Sequence, residues 1–512
     1  MASIAASESP FDENKSSDVI IRTQDGVKFY VHRFILSLVS PFFSQMFNLD
    51  QSPSTDNEPQ EQPVVDVSES SRVIDTILRM CYPVAEPELS SLPSLVDCLV
   101  ATSKYEMDFV MRKLKRPLRN FLKSVPLRVY ALACQYALED IAKEATPKWR
   151  HQITSSLNKA LMDTHWSGTV AGRCYTEEMK DISSGMYYRL LQYMSSGKLP
   201  RSFTKPYNSQ PVVSNHLEDY DREPHLRLGS ATDVFLVSID GVKLPAHQAI
   251  IWAASVTFEE LLHSTESPEG LPEIHLPYAA DILVVVLHAC YPGGMMLDNR
   301  LTLPDLAHLL SAAKEFELCV LEEMVKQRLL GFVKSDPLEL YFRAASLGWE
   351  EGAREAAMQT CRLSDHLPYA PVMETMPARY YHSLLKFRHR CRSALAGCVQ
   401  AVVSQDDKGD ILDGKLWTGW LRDELEGTAP ELVLAIAATA PPNAESYEAL
   451  RRSNPSPWGQ TSTNPPMPKP SQRLVAFGAL EKEIKSAYAK VSTTSDARRH
   501  LFTQTKVELK LT

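Results

Sequence analysis

The stretch that decides the fold runs from Asp18 to Phe47 and reads DVIIRTQDGVKFYVHRFILSLVSPFFSQMF. A second stretch, from Asp233 to Leu262, reads DVFLVSIDGVKLPAHQAIIWAASVTFEELL and aligns with the first without a gap. Self-similarity of this kind indicates a duplicated structural unit. The residues of the first stretch that are repeated include Asp18, Asp25, Gly26, Val27, Lys28, His32 and Ser40.

The repeat continues beyond these stretches, more loosely, to the end of each unit. We therefore expect two copies of one fold, each followed by the same helical segment. The matching segments are Cys81-Tyr82-Pro83 with Cys290-Tyr291-Pro292, FLKSVPLRVYALA from Phe121 with FVKSDPLELYFRA from Phe332, and Tyr187-Tyr188 with Tyr380-Tyr381.

Each copy opens with a pattern typical of a β-hairpin followed by helices. Val19 to Thr23 is rich in β-branched residues, Asp25-Gly26 favours a turn with positive φ, and Val27 to Val31 returns as a second strand. After His32 the apolar residues recur at helical spacing. Ser40-Pro41 is typical of the cap and first residue of a second helix, which we expect to be packed on all sides.

A third short strand and a series of helices are predicted next in both copies. The strand is VVDV (Val64 to Val67) in the first copy and IHL (Ile274 to Leu276) in the second. From Val73 onward, apolar residues at spacings of three and four predict helices. The sequence therefore predicts an α+β fold in which a small β-sheet is flanked by helices.

Composition limits the classes of function. The 512 residues allow about three domains of roughly 150 residues each, and 44% hydrophobic with 23% charged residues is typical of globular proteins. The net charge of -9 disfavours direct binding of nucleic acid. No apolar run approaches the ~20 residues that cross a bilayer, and the N-terminus does not resemble a signal peptide, so we expect neither membrane insertion nor secretion.

The titratable residues form no pattern typical of an enzyme. The nine cysteines are odd in number and include no CxxC, which favours a reducing compartment, cytoplasm or nucleus. His389, Cys391 and Cys398 match no zinc-module spacing, so we expect no metal and no cofactor. His32 and His247 each begin a predicted helix without an evident nucleophile or carboxylate beside them. We expect both histidines to be structural and the protein to be non-catalytic.

Composition and the repeat divide the chain into segments. Two of them, from Ser202 to Arg227 and from Ser453 to Ser471, have the polar or Pro-rich composition of linkers. The predicted segments are a disordered N-terminus (1–15), a first α+β unit (16–122) with a helical extension (123–201), a linker (202–229), a second unit (230–333) with its extension (334–386), an unassigned helical region (387–452), a disordered Pro-rich linker (453–471) and a partly helical tail (472–512).

The Asp-led hairpin, the helix opened by a histidine and the string H-x3-L-x3-S-x2-F-x2-M-F from His32 to Phe47 resemble the BTB (POZ) domain family. The second copy has Ile251 and Leu261 in place of the leucine and the methionine. The resemblance covers about residues 16–122 and 230–333. It implies domains whose role is homo- or hetero-association and recruitment of partner proteins.

The resemblance also implies an interaction pocket near a dimer interface. In the family, an Asp before the first strand and a basic residue after the histidine form it. The first copy has both, which implies a homodimer through this copy; the second lacks the basic residue, so a buried carboxylate there would lack its counter-charge. The two copies could instead pair within one chain. The pocket residues are Asp18, His32 and Arg33 in the first copy and Asp233, His247 and Gln248 in the second.

A second implied site is the contact that some BTB proteins make with a cullin ubiquitin-ligase scaffold. That contact uses a hydrophobic-x-Glu string just before the third strand. The first copy has NEPQEQP there, and the second offers Leu271 and Glu273. The resemblance thus leaves a cullin as a possible partner.

A run of basic residues is the other candidate surface. It consists of a predicted amphipathic helix whose charged face is either simply solvated or a surface for nuclear import or an acidic partner. We interpret the protein as an interaction scaffold or adaptor, with a cullin-ligase substrate adaptor and a transcriptional regulator as alternatives. The basic residues are Arg112, Lys113, Lys115, Arg116, Arg119 and Lys123.

Overall fold

The computed structural model describes residues 10–11, 16–49, 62–156, 171–206, 232–264, 271–291, 297, 301–361, 363 and 367–405. The predictions for 406–452, for the Pro-rich linker 453–471 and for the tail 472–512 lie outside these residues. The described chain forms two compact units. The first holds most residues up to 206, and the second holds the remainder together with 171–173 and 183–185.

The first unit contains a three-stranded sheet in the order β2-β1-β3. Strands β1 (Val19–Arg22) and β2 (Lys28–Val31) pair antiparallel around the Asp25-Gly26 turn, where Gly26 has φ 79°. Strand β3 (Val64–Asp66) pairs with β1 in parallel. The hairpin and the third strand are confirmed, while the parallel pairing follows from the helices that separate β2 from β3.

Helices of the first repeat follow the predicted order. Helices α1 and α2 separate β2 from β3, and α3 to α5 follow β3. The extension then forms α6, α7 and α9, with a short α8 and a 3-10 helix between them. The bounds are α1 Arg33–Val39, α2 Pro41–Leu49, α3 Ser71–Cys81, α4 Leu92–Lys104, α5 Asp108–Asn120, α6 Pro126–Gln135, α7 Glu139–Ser156, α8 Ala171–Arg173, the 3-10 helix Glu177–Asp181 and α9 Ser184–Ser196.

The second unit has the same elements in the same order, except that its described residues include no counterpart of α8. Its sheet is β5-β4-β6, with β4 antiparallel to β5 and parallel to β6. The duplication seen in the sequence is thus a duplication of fold. The bounds are β4 Val234–Val237, β5 Lys243–Ala246, α10 Gln248–Ala254, α11 Val256–Ser264, β6 Glu273–His275, α12 Ala280–Cys290, α13 Leu303–Glu315, α14 Cys319–Leu330, α15 Pro337–Ser346, α16 Glu350–Thr360, a 3-10 helix Pro371–Glu374 and α17 Ala378–Gln405.

Helix α2 is capped as predicted but is not packed on all sides. The Ser40 hydroxyl accepts a hydrogen bond from the Phe43 N–H at 3.1 Å and donates one to the Tyr105 carbonyl at 2.6 Å. Phe43 and Phe47 are buried, whereas Leu49 is 84% exposed. The expectation of full packing was wrong because one face of this apolar helix points away from the core.

The N-terminal residues 10 and 11 are folded, although the sequence predicted disorder for 1–15. Phe11 is buried, and its ring centroid lies 5.2 Å from that of Tyr82 and 6.2 Å from that of Phe29. Its carbonyl accepts a hydrogen bond from the Tyr30 N–H at 3.1 Å. The first unit therefore begins before Ser16, with an aromatic side chain that fills its core.

The segment predicted as a linker from 202 begins as part of the first unit. Phe203 is fully buried against Tyr130 and Tyr193. The Glu139 carboxylate accepts hydrogen bonds from the Thr204 N–H and hydroxyl, the Ser202 hydroxyl and the Phe203 N–H, at 2.8 to 3.1 Å. Burial opposes ionisation of Glu139, but these donors outweigh it and lower its pKa to about 2.

The predicted end of the second extension at 386 falls inside a helix. Helix α17 runs without interruption from Ala378 to Gln405. The boundary between 386 and 387 is therefore wrong, since the chain there continues one helix rather than starting a new region.

A residue with left-handed backbone conformation, that is with positive φ, follows α6 in the first repeat and α15 in the second, at matching positions. Ala137 has φ 54° and Gly348 has φ 65°. In both copies the next N–H returns to the helix, from Leu138 to the Ala133 carbonyl at 2.7 Å and from Trp349 to the Ala344 carbonyl at 2.8 Å. The backbone geometry is thus identical, while only one copy has the residue that suits it.

We expect Gly348→Ala to lower the free energy of unfolding by about 1 kcal/mol, because a Cβ is unfavourable at positive φ. No atom lies within 4 Å of the added Cβ, so the effect is conformational. The matched variant Ala137→Gly should be neutral or stabilising. Urea unfolding of both variants measures this, and equal destabilisation by both changes would contradict the explanation.

We expect Glu139→Gln to destabilise the protein by about 1–2 kcal/mol at pH 7, since it weakens charge-assisted hydrogen bonds. The pKa of Glu139 is lowered from 4.5 to about 2 on folding, so the ionised group stabilises the fold fully above pH 4.5. This stabilisation is lost as the pH falls toward 2. Thermal unfolding from pH 7 to 3 should show the gap between wild type and variant narrowing below about pH 4.5, while Glu177→Gln, at a 78% exposed side chain, leaves the curve unchanged.

Candidate functional site

A histidine and a tyrosine meet at the start of the first helix in both repeats. His32 is the N-cap of α1, and its backbone N–H donates to the Tyr82 hydroxyl at 2.9 Å. The same hydroxyl lies 3.1 Å from His32 Nδ1. In the second repeat the Tyr291 hydroxyl lies 3.0 Å from the His247 N and 2.8 Å from its Nδ1. The tyrosines, found in the sequence only as part of a repeated tripeptide, are the partners of the predicted histidines.

Hydrogen bonds within its own domain hold the His32 side chain. Burial raises the pKa of Tyr82 to about 12, so its hydroxyl keeps its proton. The two ring nitrogens of His32 each lie 3.1 Å from a hydroxyl oxygen, Nδ1 from that of Tyr82 and Nε2 from that of Ser16. The sequence indicated no nucleophile here and missed Ser16.

Asp18 and Arg33 are neighbours in the structure, but their side chains do not form an ion pair. The exposed Asp18 carboxylate accepts a 2.6 Å hydrogen bond from the backbone N–H of Arg33, the first residue of α1. The Arg33 guanidinium instead lies 5.2 Å from the centre of the Phe47 ring. Its Nε is buried and has no hydrogen-bond partner among the described residues. The carboxylate thus stabilises the helix N-terminus in its own chain.

The second repeat reaches the same geometry without a basic residue. Asp233 accepts a 2.6 Å hydrogen bond from the Gln248 N–H, and the Gln248 side-chain amide donates to the Asp233 carbonyl at 2.8 Å. Asp233 is half-buried rather than buried. The expected loss of a counter-charge therefore concerns no buried charge, since the half-buried carboxylate accepts the Gln248 backbone N–H.

The outer side of the first helix differs between the repeats. Face 1 consists of Phe34, Ser37 and Leu38 on α1, and its two large side chains are 75% and 73% exposed. Face 2 consists of the equivalent residues on α10, Ala249, Trp252 and Ala253; the tryptophan is 51% exposed and both alanines are exposed. Large exposed apolar side chains on one helix side are typical of interaction surfaces. Helical spacing found these residues, but only the fold shows which side is exposed.

The candidate cullin contact is only partly available. Leu271 is 45% exposed. Glu273 is the first residue of β6 rather than preceding the strand, and it forms an ion pair with Lys243. The hydrophobic-x-Glu string is thus present, but the carboxylate of Glu273 is already paired with a lysine of the same chain.

Half of the predicted basic run on α5 is neutralised within the unit. Lys113 pairs with Glu86 at 2.7 Å, and Lys115 and Arg119 pair with Asp140 at 3.0 and 2.7 Å. The others are exposed. This favours a solvated, ion-paired face over a surface for an acidic partner. The exposed basic residues are Arg112, Arg116 and Lys123.

The described residues contain few other side chains that are placed to bind a metal ion or to act as nucleophiles. Within those residues, no three His, Cys, Asp or Glu side chains are arranged to hold a metal ion, and none of the helices could span a bilayer. Burial raises the pKa of the Cys134 and Cys174 thiols to about 12, which keeps them protonated. These cysteines are therefore packing residues.

We expect Tyr82→Phe to destabilise the protein by about 1–3 kcal/mol, because it leaves the His32 N–H without an acceptor. Amide hydrogen exchange should accelerate at His32 and in α1. Tyr291→Phe should do the same at His247 and α10. Tyr136→Phe, whose half-buried hydroxyl has no hydrogen bond in the described chain, is the control; similar acceleration in that variant would contradict the role of the hydroxyl.

Comparison with known families agrees with this architecture. The model of the BTB/POZ domain matches residues 8–122 and 223–331. The first match includes Phe11, consistent with its place in the core. No curated protein matches the chain. BTB/POZ domains are protein-interaction domains, and this chain contains two BTB-like regions in tandem.

Proposed function

We propose that this protein is a non-catalytic scaffold or adaptor whose two BTB/POZ domains, domain 1 (8–122) and domain 2 (223–331), each present a helical face to another protein. The observation that carries this proposal is face 1. Phe34 and Leu38 are one helical turn apart on α1 and are about three-quarters exposed. Two such side chains in water favour burial against a partner by about 1.5–3 kcal/mol each.

Rigid support makes this face suitable for association. The N-terminus of α1 is held by Asp18 and by Tyr82, so the helix is positioned before a partner binds. Preorganised side chains lose less conformational freedom on association. The tandem arrangement places two such faces in one chain, which suits an adaptor that joins proteins.

Other roles receive less support. A cullin-ligase adaptor would use Leu271 and Glu273, but the carboxylate of Glu273 is held by Lys243. A transcriptional regulator would need a DNA-binding module, and the sequence has no zinc-finger pattern or clear helix-turn-helix. We place the protein in the cytoplasm or nucleus, as the free cysteines favour.

We expect Phe34→Glu to weaken self-association at least tenfold, because a carboxylate is poorly tolerated in an apolar interface. Sedimentation of the full-length protein across concentrations measures the change from an oligomer to the 57.4 kDa monomer. Val100→Glu, at a 50% exposed position on α4, is the control. An unchanged mass in Phe34→Glu, with circular dichroism showing a folded chain, would contradict the proposal.

A further inference from the structure

We propose that domain 1 of one chain pairs with domain 2 of a second copy of this chain, with face 1 against face 2. The inference rests on the proposed function and specifies its partner. It differs from pairing of like domains, because the two faces are complementary to each other and not to themselves.

Side-chain size is the first complementary property. Phe34 and Leu38 of face 1 correspond to Ala249 and Ala253 of face 2, while Ser37 corresponds to Trp252. At every position, one repeat has a large side chain and the other a small one. Interfaces are as densely packed as protein interiors, so protrusions require matching recesses.

Pairing of domain 1 with domain 2 brings the large side chains of one face against the small side chains of the other. When two homologous faces pack about an approximate twofold axis, a residue i of one face contacts a residue j of the other, and the equivalents of j and i make the matching contact. In face 1 against face 2, the large Phe34 and Leu38 then lie against the small Ala249 and Ala253, in either order. Face 1 against itself brings together two phenylalanines and two leucines, and face 2 against itself brings together two tryptophans with four alanines.

Charge is the second complementary property. The Trp252 ring contacts that of His263, with centroids 6.1 Å apart, and Glu259 and Glu260 lie one turn before His263 on α11. Neither glutamate forms an ion pair in the described chain. Their counterparts in domain 1 are the neutral Ser44 and Gln45. The edge of face 2 is therefore acidic.

Face 1 carries a guanidinium at its edge. Arg33 adjoins Phe34, and its buried Nε has no hydrogen-bond acceptor. The equivalent residue of domain 2 is the neutral Gln248. The exposed Asp18 carboxylate lies at the same helix start, so Arg33 and Asp18 balance each other on face 1. Two copies of face 2 would bring four glutamate carboxylates together, whereas unlike faces place these carboxylates against a face that carries a guanidinium. Like charges disfavour a partner and opposite charges favour it.

A single substitution in domain 2 tests this pairing. In the full-length protein, Ala253→Glu should raise the dissociation constant of the dimer at least tenfold, as measured by sedimentation. Pairing through domain 1 alone would leave it unchanged, and that result would overturn the inference. Val320→Glu, at a 77% exposed position on α14 of domain 2, is the control and should leave association unchanged.

A size exchange provides the positive test. Leu38→Ala removes a protrusion from face 1, while Ala249→Leu and Ala253→Leu each fill a recess of face 2, so each change should weaken the dimer severalfold. Combining Leu38→Ala with the leucine substitution opposite residue 38 restores one large and one small side chain and should recover most of the lost affinity. Additive losses in both double variants would overturn the inference.

Mixed chains separate the remaining outcomes. A tagged wild-type chain should capture untagged wild type, but not an untagged chain carrying both Phe34→Glu and Ala253→Glu. A monomer at all concentrations would overturn pairing between copies. If Phe34→Glu dissociates the protein and Ala253→Glu does not, the inference fails while the proposed function stands; if neither variant has an effect, both fail.

Discussion

A tyrosine hydroxyl bound to the start of a helix is the contact on which each domain depends. Tyr82 follows α3 by one residue, yet it accepts the N–H of His32, fifty residues earlier, where α1 leaves the sheet. A buried N–H without an acceptor costs about 1–3 kcal/mol, so the bond constrains the path of the chain. It ties the start of α1, whose Phe34 and Leu38 are exposed, to the end of α3. Tyr291 and His247 repeat this contact in domain 2.

Divergence between the domains is concentrated on the surface of the helix that this contact holds. The backbone of domain 2 repeats that of domain 1 in its sheet order, its helix starts and the hydrogen bond that the first N–H of α10 donates to Asp233. The outward residues of α10, in contrast, reverse the sizes found on α1. Two domains that bind different partners need the same internal contacts but different surface residues. The reason is that stability depends on the core, whereas specificity depends on the exposed face.

The limits of the first unit are set by packing. Phe11 and Phe203 stand in segments of polar composition, and each fills a cavity lined by aromatic rings from distant parts of the chain. Glu139 then holds the backbone after Phe203 through several donors at once. One buried aromatic residue in a polar segment produces no periodic pattern, so composition alone assigned both segments to disorder or linker.

The sequence by itself determined the hairpin, the third strand and the helical order, because apolar residues alternate in strands and recur every three or four residues in helices. It also determined the duplication and the resemblance to the BTB/POZ family, because these follow from comparing one stretch of sequence with another. It also singled out Asp18, His32, Asp233 and His247 as candidate residues. Only the tertiary structure decided that Tyr82 and Tyr291 bond to the two histidines, that Arg33 lies over Phe47, and which side of α1 and α10 is exposed. These depend on contacts between residues far apart in the chain, and no local pattern encodes such distances.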